Sequence, residues 1–164
     1  MRKLSLCLLV MAVLSSGCFK SDNGCSYSDT NVVAPASEQA DLANYLFNNG
    51  ITSAVKHPAG FYYEFISAGT GVKPTLCSII TVGYTGKLTN GDTFDQQQSL
   101  SFQLGSLIEG WRKGLPLIQK GGAIKLYLPP SLGYGAVDVK DSQGVVVVPA
   151  NSILIFEVHL MDVQ

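Results

Sequence analysis

Residues 79–95 have the sequence IITVGYTGKLTNGDTFD, and this stretch best defines the fold. Apolar residues alternate with polar or small residues over Ile79–Leu88, which is the pattern of a half-buried strand. Asn90-Gly91-Asp92 follows, and this combination favours a tight turn because asparagine and glycine tolerate the backbone angles that hairpin turns require. The stretch therefore predicts a strand that enters an antiparallel hairpin. The side chains predicted to share one face of the strand are Ile80, Val82, Tyr84 and Leu88.

Further strands are predicted on both sides of this hairpin. Phe61–Ile66 is rich in aromatic and β-branched residues, and Leu100–Leu104 is a second short β-prone run. Ala123–Leu128 and Ile153–Val163 alternate as residues 79–88 do. Residues 131–147 are expected to form a long loop. The chain is thus predicted to contain mainly antiparallel strands.

Two short helices complete the prediction. Residues 37–48 have apolar side chains at helical spacing, with Ser37 as a plausible N-cap and Gly50 just beyond the end. Residues 107–117 have a second apolar face that includes Trp111, and Pro116 is expected to end this helix. A sheet needs a cover on its apolar face, and the Trp111 helix is the obvious candidate. The predicted fold is α+β: an antiparallel half-barrel sheet wrapped around one short helix, with a short extra N-terminal helix.

Composition limits the function classes. Hydrophobic residues make up 46% of the 164 residues and charged residues 14%, which is enough apolar material for a packed core. A net charge of −1 gives no indication of nucleic-acid binding. The two histidines, His57 and His159, are far apart and lack the spacing of metal ligands, so no metal site is predicted. No catalytic triad and no phosphate-binding glycine loop is evident, and no cofactor is expected.

The first residues resemble an export signal. Arg2 and Lys3 precede an apolar run, Leu4–Leu14, that is too short to cross a bilayer. Small residues then lead to Cys18, as in the bacterial lipobox, in which the cysteine becomes lipidated. Residues 1–17 are therefore predicted to be a lipoprotein signal peptide, with an ordinary signal peptide and a chance cysteine as the alternative. Residues 18–35 are predicted to be a lipid-anchored tether.

Export would leave two cysteines for pairing. Cleavage before Cys18 removes Cys7, and lipidation occupies Cys18. We expect the remaining pair, Cys25 and Cys77, to form a disulfide in an oxidising compartment, with two free buried thiols as the alternative.

The residues that carry a resemblance to a known family lie in eight short segments: residues 82–86, 90–95, 102–105, 108–111, 120–122, 129–135, 148–152 and 154–158. With these segments, the sequence from about residue 61 to the end resembles the FKBP-type peptidyl-prolyl cis-trans isomerases, in a bacterial lipoprotein form. No single motif is specific, but together they occur in the family's order and near its spacing. They cover roughly 100 residues, so residues 61–164 are expected to be the isomerase domain and residues 36–60 an N-terminal helix and linker.

The resemblance implies an aromatic pocket for a proline ring. Trp111 would form its floor, and the Tyr134 hydroxyl and the Ile108 backbone N–H would bind carbonyls of the substrate. Asp95 would orient Tyr84 and would not itself transfer a proton. The catalytic residues expected from the resemblance are Tyr84, Phe94, Asp95, Trp111, Tyr134 and Phe156, with Leu100, Leu107, Ile108 and Val148 as substrate-binding residues.

Two departures from the family affect ligand preference. A wall position that is usually aromatic is predicted to be Leu100, which would loosen the grip on large macrolides more than on peptides. The loop over residues 136–147, which borders the pocket in the family, is longer here.

The resemblance implies exported or unfolded proline-containing polypeptides as substrates and macrolides as a second class of ligand. The expected protein is a monomer, attached to a bacterial membrane only through its lipid. A peptide-binding chaperone on the same fold is the main alternative, and a purely structural lipoprotein is the other.

Overall fold

The structure is a computed structural model that describes residues 25–164. The predicted signal peptide, residues 1–17, and the predicted lipidation residue Cys18 lie outside the described residues. Among residues 25–164, no helix is long and apolar enough to cross a membrane.

A six-stranded sheet forms the centre of the fold, and every neighbouring pair of its strands is antiparallel. The spatial order is β1-β2-β5-β8-β3-β4. A separate two-stranded hairpin, β6-β7, occupies part of the predicted long loop and extends one residue beyond it. The strands are β1 Val55–Lys56, β2 Tyr62–Ser67, β3 Ile79–Leu88, β4 Thr93–Gln103, β5 Ala123–Leu128, β6 Val139–Lys140, β7 Val146–Val148 and β8 Leu154–Val163.

The helices are few and short. Helix α1 is Ala36–Asn48 and helix α2 is Glu109–Gly114, and three-residue 3₁₀ turns lie at Leu104–Ser106, Leu115–Leu117 and Pro130–Leu132. The α+β class and the antiparallel sheet with one short covering helix are confirmed. The sheet begins at Val55, inside the stretch predicted to be a linker.

The core follows the predicted alternation. Ile80 and Val82 of β3 are fully buried, and the alternate residues of β5 and β8 pack beside them. Helix α2 packs closely on β5 because it presents glycines to that strand. A Cβ atom at Gly114 would lie 2.7 Å from Leu126 Cδ2, and a Cβ atom at Gly110 would overlap Leu128. The two glycines therefore set the depth at which Trp111 lies.

Helix α1 packs away from this core, where Leu42 and Leu46 are buried against Tyr127 of β5. The N-cap prediction is wrong: Pro35 precedes the helix, Ser37 lies inside it, and no side chain caps its first turn. Pro35 has φ −54°, so the chain enters the helix with preset geometry and without a side-chain cap.

Residues 25–35, which we call the arm, differ from the predicted tether because they lie against the domain. Cys25 is bonded to Cys77, with the two Cα atoms 5.7 Å apart. Ala34 is buried, and its N–H donates to the Ala59 carbonyl over 2.9 Å. The polar composition of this segment predicted a solvated tether. In the structure, polar groups of Ser28 and Thr30 form hydrogen bonds with side chains of α2.

Candidate active site

A cavity of about 260 Å³ lies between the sheet and helix α2. Strands β3, β4 and β8 supply its walls, and the turn before α2 supplies its rim. Seven residues expected from the sequence line it together with two that were not expected. The lining residues are Tyr84, Asp95, Phe102, Ser106, Leu107, Ile108, Trp111, Tyr134 and Phe156.

Trp111 is the aromatic centre of this cavity. Its side chain is 4% exposed, and three rings meet it nearly edge to face. The centroid distances are 5.1 Å to Tyr84, 5.3 Å to Phe156 and 6.4 Å to Phe102. Each such pair contributes roughly 0.5–1.5 kcal/mol beyond area burial. The indole is thus held rigidly by rings from three strands.

Tyr84 and Asp95 form the polar wall. The Tyr84 hydroxyl donates to Oδ2 of Asp95 over 2.6 Å, between neighbouring strands β3 and β4. Burial, then the hydrogen bond to Asp95 and its negative charge, raises the pKa of Tyr84 well above its ordinary value. Tyr84 therefore stays protonated at neutral pH and is a fixed donor to the carboxylate.

Tyr134 lies at the rim, 36% exposed. The preceding 3₁₀ turn is tied down by buried Leu132 and by a 2.8 Å bond from the Gly135 N–H to the Pro130 carbonyl. Burial, followed by the charge of Asp95, raises the pKa of Tyr134. Its phenol therefore stays protonated at neutral pH and is available as a hydrogen-bond donor at the rim of the cavity.

Phe94 supports the cavity from behind without lining it. Its ring centroid lies 5.5 Å from that of Phe156 and 6.2 Å from that of Tyr134, both at steep angles. Gly86 makes this packing possible, because a Cβ atom there would lie 2.7 Å from the Phe94 ring and 2.8 Å from the Phe156 ring.

Leu107 and Ile108 connect the Leu104–Ser106 turn to α2. Ile108 is extended, with φ −59° and ψ 150°, and its carbonyl accepts from the Trp111 N–H over 2.9 Å. The rim and the floor are therefore consecutive in the chain, and a shift of one would move the other.

Two predicted substrate-binding residues lie outside the cavity. Leu100 is 41% exposed on edge strand β4, opposite Val82. Val148 is 1% exposed and packs in the core at the end of β7. The register of β3 and β4 shifts opposite Gly83, so the alternation of β4 is broken between Gln97 and Leu100, the partners of Tyr84 and Val82.

Phe102 takes the wall position that the sequence analysis assigned to Leu100, and Ser106 was also missed. An aromatic residue therefore lines this wall, so the structure does not support the expectation of a lower affinity for macrolides. The available signal was the Phe102-Gln103-Leu104-Gly105 segment, which resembles the family and includes this aromatic residue.

A larger cavity, about 500 Å³, lies beside the arm. It is lined by residues 29–33, 57–59 and 74–76 and by Arg112, Lys113 and Pro116, and it shares no lining residue with the aromatic cavity. The aromatic cavity is the candidate active site because it alone of the two collects the rings and hydroxyls described above.

Comparison with known families agrees with this geometry. The family model of the FKBP-type peptidyl-prolyl cis-trans isomerases matches residues 71–161, more than half of the chain. The protein belongs to this family. The matched range contains every residue that lines the aromatic cavity.

Relatives in the family include FkpA of Escherichia coli, 41% identical over 109 residues that cover 64% of this chain and 38% of FkpA. A probable FKBP-type isomerase of Haemophilus influenzae is 36% identical over 138 residues, covering 82% of this chain and 55% of that protein. The chain thus spans about two fifths of FkpA and about half of the second relative.

Solved structures show the same fold. The crystal structure of FkpA from Escherichia coli superposes with a TM-score of 0.66 at 36% identity, covering 79% of this chain and 60% of that one. A peptidyl-prolyl cis-trans isomerase from Pseudomonas syringae superposes with a TM-score of 0.66 at 27% identity, covering 80% of this chain and 97% of that one.

Proposed function

We propose that this protein catalyses the cis-trans isomerisation of X–Pro peptide bonds. The observation that carries the proposal is the aromatic cavity, in which Trp111 is surrounded edge to face by Tyr84, Phe102 and Phe156. An apolar floor with polar groups only on one wall and the rim suits a proline ring flanked by peptide carbonyls. Family membership supports the same activity.

The chemistry requires no covalent step. Rotation about a peptide bond has a barrier of about 18–20 kcal/mol, because the planar amide is stabilised by resonance. The twisted amide at the top of the barrier has lost that resonance, and its carbonyl is less polarised. A dry apolar floor at Trp111 disfavours the planar amide more than the twisted one. Selective binding of the twisted form lowers the barrier.

The polar groups are proposed to position the substrate. The Tyr134 hydroxyl and the Ile108 backbone N–H would each donate to a substrate carbonyl next to the proline. Asp95 would hold the Tyr84 ring against Trp111 through the 2.6 Å hydrogen bond. None of these roles requires a group that changes its protonation state during turnover.

The proposed substrates are proline-containing polypeptides that are unfolded or newly exported, and macrolide ligands of the family are a second class. We further propose that the protein is exported and held at a bacterial membrane through lipid on Cys18, as a monomer. The Cys25–Cys77 pairing supports an oxidising compartment.

The test is an isomerisation assay on an X-Pro-Phe tetrapeptide with the full chain, with and without excess macrolide. Acceleration of exchange supports the enzyme, and inhibition by the macrolide places catalysis in the aromatic cavity. Acceleration that the macrolide does not inhibit keeps the enzyme and rejects the macrolide as a ligand. Peptide binding by folded protein without acceleration would replace the proposal with the peptide-binding chaperone.

A further inference from the structure

Helix α2 has only six residues, Glu109–Gly114, yet it carries the floor of the cavity. A helix this short has little stability of its own, so its position depends on what packs against it. Its glycines, Gly110 and Gly114, contact β5. The residues at i, i+3 and i+4 on another face, Glu109, Arg112 and Lys113, are all charged.

The arm binds this charged face. Arg112 Nη2 donates to the Ser28 carbonyl over 2.6 Å, and Lys113 Nζ donates to the Thr30 carbonyl over 2.5 Å. The Thr30 hydroxyl donates to Oε2 of Glu109 over 2.7 Å. Every charged side chain of α2 thus has a partner on the arm.

These charged groups are shielded from solvent. The Arg112 and Lys113 side chains are only 13% and 9% exposed. Lys113 also pairs with Asp29 at 3.1 Å, and Arg112 pairs with Glu109 at 2.5 Å. Loss of the arm would remove these carbonyl and carboxylate partners and expose the charged face to water, so α2 would lose contacts that fix its position.

Besides its contacts with α2, the arm is held near both ends and at Tyr27. Cys25 is bonded to Cys77, and Ala34 is hydrogen-bonded to Ala59. Between them, the Tyr27 ring lies directly on Gly105, where even a Cβ atom would overlap the ring. Gly105 immediately precedes Ser106, Leu107 and Ile108, which form the rim of the cavity.

We propose that the arm is a positioning element of the active site, which holds α2 and the turn at Gly105 so that Trp111 and the rim keep their catalytic arrangement. Its residues Tyr27, Ser28 and Thr30 are positioning residues that act through Gly105, Arg112 and Glu109. The kinetic part of this inference rests on the proposed isomerase function.

The first experiment compares the full chain with a Cys25→Ser/Cys77→Ser variant, well below the unfolding temperature of both. Without its anchor, the arm is expected to leave α2 part of the time. We expect kcat/KM for an X-Pro-Phe tetrapeptide to fall about threefold or more, because a small displacement of a positioned group is costly in rate. Trp111 is the only tryptophan, so quenching of its fluorescence by acrylamide reports on α2 directly and should increase.

Reversible reduction supplies the matched control. Dithiothreitol should produce the same fall and the same increase in quenching in the native sequence, both reversed on reoxidation. It should change neither quantity in the Cys25→Ser/Cys77→Ser variant. A lower unfolding temperature with unchanged kcat/KM and unchanged quenching would show that the disulfide only adds stability, and would overturn the inference.

A second pair of variants tests the arm away from the cysteines. Thr30→Val removes the hydroxyl bonded to Glu109 while keeping the shape of the side chain, and Thr30→Ser keeps the hydroxyl. We expect Thr30→Val to raise quenching and lower kcat/KM, and Thr30→Ser to restore both. Equal values for the two variants would contradict the role of Thr30. If the native sequence shows no isomerisation at all, the proposed function fails, while Trp111 quenching still decides whether the arm holds α2.

Discussion

The Tyr84 hydroxyl donates a 2.6 Å hydrogen bond to Oδ2 of Asp95, and the Tyr84 ring meets Trp111 edge to face at 5.1 Å. The carboxylate of one strand thereby holds the ring of its neighbour against the floor of the cavity.

Variants of Asp95 test whether this residue orients the Tyr84 ring or transfers a proton. In Asp95→Asn the amide oxygen can still accept from Tyr84, so we expect kcat/KM to stay within about threefold of the native value. Asp95→Ala removes the acceptor and should cost about tenfold, equivalent to roughly 1.4 kcal/mol. Tetrapeptide assays from pH 6 to about pH 8 should show parallel, flat profiles. A new strong pH dependence in Asp95→Asn would contradict the positioning role.

Alkaline pH should destabilise the fold through two tyrosines. Burial and hydrogen bonds to Asp95 and Glu64 raise the pKa values of Tyr84 and Tyr127 above the ordinary 10.0. The folded state therefore keeps these protons more tightly than the unfolded state. Their stabilising contribution is complete below about pH 10 and is lost as the pH rises above it.

Urea unfolding at neutral pH and at about pH 11 measures this loss. The native midpoint should fall, and the Tyr84→Phe/Tyr127→Phe variant should show a smaller fall because it has no phenol to ionise at either position. An equal fall in both proteins would assign the alkaline sensitivity to other groups.

Phe102 and Leu100 form a matched pair, two residues apart on β4. Phe102 lines the cavity and contacts Trp111, whereas Leu100 is 41% exposed outside it. We expect Phe102→Ala to lower kcat/KM about tenfold or more, because it removes a ring that packs against Trp111 and positions the indole. Leu100→Ala should leave kcat/KM unchanged. The reverse order in tetrapeptide assays would restore Leu100 as the wall.

Gly86→Ala should displace the aromatic rings that support the cavity. The new methyl group would meet the Phe94 and Phe156 rings at 2.7 and 2.8 Å, so these rings must move. We expect a loss of unfolding free energy of about 1–3 kcal/mol and a lower kcat/KM. Thr85→Ala, at the next position of β3, is the control and should leave kcat/KM close to native. Native activity and stability in Gly86→Ala would show that the rings have free space.

The sequence predicts the sheet well where one periodicity is uninterrupted. Residues 79–88 and 123–128 were predicted as strands from their alternation, and the bounds of β3 and β5 agree with the prediction. Within β4 it fails at Leu100 and Phe102, which pair with Val82 and Ile80 in one continuous register, so alternation assigns both residues to the same face. Alternation therefore does not distinguish them, whereas the structure does, because Phe102 lines the cavity and Leu100 is 41% exposed.

The arm was missed for a related reason. The carbonyls of Ser28 and Thr30 bind Arg112 and Lys113, and backbone carbonyls have no sequence signature. Polar residues 26–31 therefore resembled a solvated tether. Most of the cavity was expected through resemblance to the family, since Trp111 or Tyr84 alone would equally fit an ordinary core.

The most direct test of the account is the rate of prolyl isomerisation by Trp111→Leu, with Phe65→Leu as the control. Phe65 is an aromatic residue on β2, 53% exposed and outside the cavity. With both variants shown to be folded, we expect Trp111→Leu to lose at least about tenfold in kcat/KM and Phe65→Leu to stay close to the native value. Native turnover in Trp111→Leu would show that the aromatic floor does not accelerate the rotation, and would contradict the proposed catalysis.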